Sequence, residues 1–148
     1  MLERLLKNLF VAAPKTLDDS DARLALTALL VRIARSDNEY ARIEIIRIEQ
    51  IIRHRYGLDP DQAHDLRREA ELLEEAAPDT VRFTRAIKEA VPLEERIAVI
   101  EAAWSVVLID GDRSDEEDAL MRMVANLLGI GDRDSNLARQ RAQTNPSA

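Results

Sequence analysis

The ten residues Arg35-Ser36-Asp37-Asn38-Glu39-Tyr40-Ala41-Arg42-Ile43-Glu44 are matched, 73 positions later, by Leu108-Ile109-Asp110-Gly111-Asp112-Arg113-Ser114-Asp115-Glu116-Glu117. At that offset Asp37 falls on Asp110, Glu39 on Asp112 and Glu44 on Glu117 (110 − 37, 112 − 39 and 117 − 44). The apolar positions on either side agree as well. Ala25, Leu29 and Ile33 fall on Ala98, Ala102 and Val106, and Ile48 and Ile51 fall on Met121 and Val124. Two amphipathic helices brought into phase always match in this way. The weight rests on the register, which holds straight through the loop and keeps its three acidic positions. The unit is therefore read as helix, acidic loop, helix, present twice. The fold that follows is all-α: a single-domain bundle of about seven helices with an internal pseudo-two-fold repeat, its copies at about 21–58 and about 94–130.

Working outward, Leu2, Leu5, Leu6 and Leu9 form one stripe of an amphipathic helix that must stop before Pro14. Residues 1–13 are read as an N-terminal helix whose stripe docks on its own domain, with a membrane surface or a partner as the other destinations. The spacing predicts further helices from Asp18–Ser20 to about 36, over about 40–55, from Asp59-Pro60 to Ala77, over about 79–90, from Pro92 to about 107, and over about 115–128. Gly57 and Gly129 close the third and the seventh alike. The helical domain is set at 18–130. Residues 131–148 read as a polar tail with a turn or two of helix within 133–142.

Composition narrows the function. The chain has 148 residues, 46% of them hydrophobic, enough for one real core. It has no cysteine, which removes disulfides, thiolate metal sites and a thiol nucleophile. A net charge of −7 argues against nucleic-acid binding, which needs surplus Lys and Arg for the phosphates. The clusters Arg53-His54-Arg55 and Arg67-Arg68 read as solvated helix faces. No apolar run reaches the roughly 18 residues of a membrane span, and Glu3, Arg4 and Lys7 interrupt any signal-peptide core. A cytoplasmic location is expected.

The chemistry sits in the two loops. Their shared pattern, Asp-x-(Glu/Asp)-x4-Glu, puts two acids in the loop and the third in the first turn of the next helix. Three carboxylates can then approach one point. Their repulsion costs about 1 kcal/mol per pair at about 4 Å in water. A helix N-terminus offsets part of that, and a bound cation offsets far more. All-oxygen ligands favour Ca²⁺, Mg²⁺ or Mn²⁺. Capping is the competing explanation. Ser114 and Glu117 make a capping box by pattern, whereas Ala41, at the position matching Ser114, cannot cap, so Glu44 is expected to lack that structural reason. The spacing is not that of an EF-hand, whose closing Glu comes at the twelfth position. His54 and His64 have no ligand partners at helical spacing and are expected on the surface, and Trp104 is expected in the core or between the repeats. No Ser-His-Asp set and no Gly-rich phosphate loop is recognisable.

With Ala34-Arg35-Ser36-Asp37-Asn38-Glu39 plus Glu44, and Leu108-Ile109-Asp110-Gly111-Asp112 plus Glu117, the chain resembles the tellurite-resistance TerB family over roughly 20–130. The pattern is a small or apolar residue, then Asp-Gly, then a Glu several residues on at a helix start. The first loop departs from it with Asn38 where Gly is usual, though Asn also tolerates the left-handed conformation. The resemblance implies an all-α fold with a pair of acidic sites, divalent-metal binding and a part in bacterial stress or resistance systems. Its candidate ligands here are Asp37, Glu39 and Glu44, then Asp110, Asp112 and Glu117. The expected function is a non-enzymatic divalent-metal-binding module. The alternatives are a protein-interaction scaffold whose acidic loops are caps or a docking surface for an unidentified protein partner, and, behind it, a two-metal hydrolase.

Overall fold

The computed structural model describes residues 19–36, 40–77, 79–109 and 115–144. The expected helix over 2–12 lies outside them. Among the described residues there are seven helices and no strand. They are α1 (Asp19–Ala34), α2 (Arg42–Tyr56), α3 (Pro60–Ala76), α4 (Thr80–Ala90), α5 (Leu93–Val107), α6 (Asp115–Leu127) and α7 (Asp132–Thr144). None of them is long and apolar enough to cross a membrane.

Two helices form the centre. Leu24, Ala25, Leu26, Ala28, Leu29, Leu30, Val31, Ile33 and Ala34 are all buried, so α1 is apolar around its whole circumference. The same holds for α5 from Val99 to Val107, where Glu101 alone is not buried. A helix apolar all round must be covered on every side. The two pack on each other; α1 is covered most extensively by α3, and α5 by α7. The outer helices offer one stripe each: Ala63, Ala70 and Leu73 on α3, and Met121, Val124 and Ala125 on α6.

Local chemistry fixes the helix ends. Asp59 Oδ1 accepts from the Gln62 N–H at 2.7 Å while Gln62 Oε1 accepts from the Asp59 N–H at 3.0 Å, a closed capping box followed by Pro60. Asp79 caps α4 through the Arg82 N–H at 2.9 Å. Gly57 (φ +64°) and Gly129 (φ +77°) end α2 and α6 in the left-handed region. Beyond them the Leu58 N–H donates to the Arg53 carbonyl and the Ile130 N–H to the Ala125 carbonyl, the same hydrogen-bonded stop in both hairpins.

Two expectations need correction. The segment after Gly131 is a thirteen-residue helix, α7, rather than a tail with a turn or two. Its buried face is Ser135, Ala138 and Ala142, residues too small to register as an apolar stripe. Arg67 is not solvated: it is 8% exposed, whereas Arg68 is exposed. Val81 points outward on α4, and Phe83, Thr84 and Ile87 form its buried face. Trp104 is in the core, as expected, and its indole N–H donates to Ser135 of α7 at 3.2 Å.

Candidate functional site

Seven residues separate α1 from α2 and seven separate α5 from α6. The helices before the loops end at Ala34 and Val107, and those after them begin at Arg42 and Asp115, both 73 apart (107 − 34 and 115 − 42). Glu44 and Glu117 are each the third residue of the following helix, and each is 5% exposed. A carboxylate is among the side chains least often buried. Here two are buried at one position of two hairpins. The other four candidates, Asp37, Glu39, Asp110 and Asp112, lie outside the described residues, as does Ser114. Among the described residues no group of three or more His, Asp or Glu is placed to hold a metal ion; each triad contributes one described member.

Glu44 has a structural role that its sequence context concealed. Ala41 is extended (φ −72°, ψ 152°) and has no side chain with which to cap, yet Glu44 Oε1 accepts from the Ala41 N–H at 3.1 Å. Half of a capping box suffices to hold the carboxylate against the start of α2, where the helix dipole favours it. A Glu at the third helical position was the available signal, whatever residue precedes the helix.

The first loop is anchored on both sides to α3. Before it, Arg35 donates to Glu74 Oε2 at 2.7 Å, and Arg32 reaches the Glu74 side chain at 3.3 Å and the Glu74 carbonyl at 2.9 Å. After it, the Tyr40 hydroxyl donates to Glu71 Oε2 at 2.7 Å. Arg35 also lies 4.8 Å from the centroid of the Tyr40 ring, so the two flanks of the loop touch each other. Glu71 further accepts from Arg67 and from Arg68, and Arg67 passes on to Glu49. Burial alone would raise the Glu71 carboxyl, but the bonds from Tyr40 and Arg67 and the charges of Arg67 and Arg68 outweigh it and hold the group below its usual value. Burial, then the bond to Glu71 and its negative charge, push the Tyr40 hydroxyl up.

The second loop has different flanks. Leu108 and Ile109 stand where the first hairpin has Arg35 and Ser36. With Arg47 of α2, Ser105, Ala142 and Gln143 they line a cavity of about 330 Å³. Arg47 is 4% exposed, and burial lowers its pKa from the usual arginine value. His54 is exposed, and His64 is largely so, with Nδ1 3.2 Å from Arg67 Nη2.

Compared with known proteins, the chain matches the family model described as "Tellurite resistance protein TerB" over residues 23–140. No curated protein and no solved structure matches it. The match begins inside α1, spans both hairpins and α3 and α4, and runs into α7, so the last helix falls within the family's domain. With most of its length matched, this all-α chain belongs to the tellurite-resistance TerB family.

Proposed function

We propose that the chain is a non-enzymatic module that binds divalent cations at its two acidic loops, one ion held by Asp37, Glu39 and Glu44 and another by Asp110, Asp112 and Glu117. The observation that carries this reading is the pair of buried carboxylates, Glu44 and Glu117, at the same place after loops of the same length. Two more acids precede each of them within that loop. Collecting carboxylates near a buried one is unfavourable unless a cation or strong donors compensate. Oxygen-only ligands select hard ions, here Ca²⁺, Mg²⁺ or Mn²⁺. A part in a bacterial stress or tellurite-resistance-type system is consistent with membership of the TerB family.

Thermal melts in Ca²⁺, Mg²⁺ and Mn²⁺ test the reading. An ion that binds only the folded state stabilises it by about 2.7 kcal/mol at one hundred times its dissociation constant. The expected result is a rise in Tm with at least one ion at millimolar concentration, lost in the Asp37→Asn, Asp110→Asn double variant. An unchanged Tm with all three ions removes the proposal.

A second reading, an interaction scaffold with the loops as caps, is favoured by the Glu44 bond to the Ala41 N–H. Under that reading deletion of residues 1–13, with both loops intact, abolishes capture of a protein partner, and ions leave the Tm unmoved.

A further inference from the structure

Arg23 of the first hairpin corresponds, at the offset of 73, to Arg96 of the second, and each lies beside the end of its hairpin's second helix. In the second hairpin Arg96 lies so close to Gly129 that an added Cβ would come within 3.1 Å of Arg96 Nη1. Its guanidinium is taken up by main-chain carbonyls, donating to Val91 at 2.9 Å and to Leu128. In the first hairpin Arg23 lies over the ring of Tyr56, the residue before the Gly57 stop, 4.9 Å from its centroid. Among the described residues no carbonyl or carboxylate accepts from the Arg23 side chain. Arg55 lies over the same ring at 5.7 Å, and its ion pair with Glu95, at 3.8 Å, is longer than a hydrogen bond. These residues and Ala22 line a cleft of about 310 Å³ where α1, the end of α2 and the first turn of α5 meet.

We propose that this cleft binds a phosphate group, with Arg23 and Arg55 as its donors. A guanidinium presents a planar fork of N–H groups that matches phosphate oxygens in pairs. Stacking on an aromatic ring holds the fork in place before the ligand arrives, so less freedom is lost on binding. The Tyr56 hydroxyl, whose pKa burial raises, stays protonated at neutral pH as a further donor. The cleft sits at the lower end of the roughly 300–1,000 Å³ range of small-molecule sites. Glu95 is the internal competitor, since a phosphate must draw Arg55 away from it. The chain's net charge of −7 opposes any anion at long range, so binding is local and weakens as salt rises. None of this depends on the acidic loops.

The test is an NMR titration of the full chain in low-salt buffer with inorganic phosphate and, separately, with adenosine monophosphate, against chloride at matched ionic strength. Saturable shifts of the amides around Ala22, Arg23, Tyr56 and Glu95 are expected. Arg23→Gln weakens binding roughly tenfold, as loss of a charge-assisted bond requires. Glu95→Gln tightens it roughly threefold by removing the competitor, a change of sign that a purely structural role for these residues does not produce. Arg133→Gln, on the exposed face of α7, leaves it unchanged. Tighter binding of the nucleotide than of phosphate assigns the cleft to nucleotides, equal binding assigns it to free phosphate, and both support the proposal. Shifts reproduced by chloride, an Arg23→Gln affinity equal to the parent's, or weaker binding by Glu95→Gln overturns it.

Discussion

The hairpins α1–α2 and α5–α6 share helix ends around the loop, a loop length, a buried Glu and a glycine stop, but the residues that flank their loops differ in kind. The first anchors its loop with charge: Arg35 to Glu74 on one side, and Tyr40 to Glu71 and Arg67 on the other. The second has Leu108 and Ile109 at the corresponding start and is backed by α7. The contrast extends to the far end of each hairpin. Arg96 is occupied by carbonyls in the second, while its counterpart Arg23 faces an aromatic ring and a cleft in the first. The two hairpins thus agree in their helix ends around the loop and differ in the side chains that flank it.

The sharpest way to break this contrast is at Glu71. Glu71→Ala leaves Arg67 with Glu49 as its remaining carboxylate and is expected to cost about 1.5–3 kcal/mol in urea denaturation. Glu101→Ala removes a half-buried partner of the exposed Arg141 and should cost under about 1 kcal/mol. Equal losses would mean that the charged anchor of the first loop carries no special weight.

A smaller effect follows from acid. The Glu71 carboxyl is held below its usual 4.5 in the folded chain, so the unfolded chain binds the more protons between that lowered value and about 4.5. Its contribution is therefore fully present above pH 4.5 and is lost as pH falls toward the folded value. Denaturation followed from about pH 6 down to about pH 3, on both sides of the usual 4.5, should show this loss, and Tyr40→Phe should shrink it by removing one of the donors responsible. An acid limb identical in the two proteins would contradict the assignment.

The smallest comparison sets the two glycine stops against each other. Both have positive φ, so alanine at either is strained by about 1–2 kcal/mol. At Gly57 a Cβ meets nothing within 4 Å, whereas at Gly129 it would press on Lys88 Cε at 3.0 Å and on Arg96, which is tied to its carbonyls. Gly129→Ala should lower the Tm more than Gly57→Ala, and the reverse order would place Arg96 elsewhere.

How far the sequence spoke depended on distance along the chain. Asp59-Pro60 and the glycines at 57 and 129 announced helix ends because capping is settled within four or five residues. The apolar stripes of α3 and α6 were legible from their spacing. α7 was not, because Ser135, Ala138 and Ala142 bury a narrow face through smallness, and smallness leaves no periodic apolar signal. The anchor of the first loop was out of reach as well. Tyr40 lies 31 residues from Glu71 and Arg35 lies 39 from Glu74, and nothing local distinguishes those acids from others on an exposed helix. Arg67 looked solvated for the same reason: its partner Glu49 lies 18 residues away, on another helix. Of the candidate site, the positions of Glu44 and Glu117 at the helix starts were legible from the spacing, but the main-chain bond of Glu44 was masked by Ala41, whose side chain cannot complete a capping box.

Calorimetric titration of the parent chain with Mn²⁺, alongside the variants Asp37→Asn, Glu39→Gln and Asp110→Asn, Asp112→Asn, tests the two-loop account most directly. Two ions bound by the parent and one by each double variant is the predicted result. No heat from the parent, or the parent's stoichiometry kept by both variants, would contradict it.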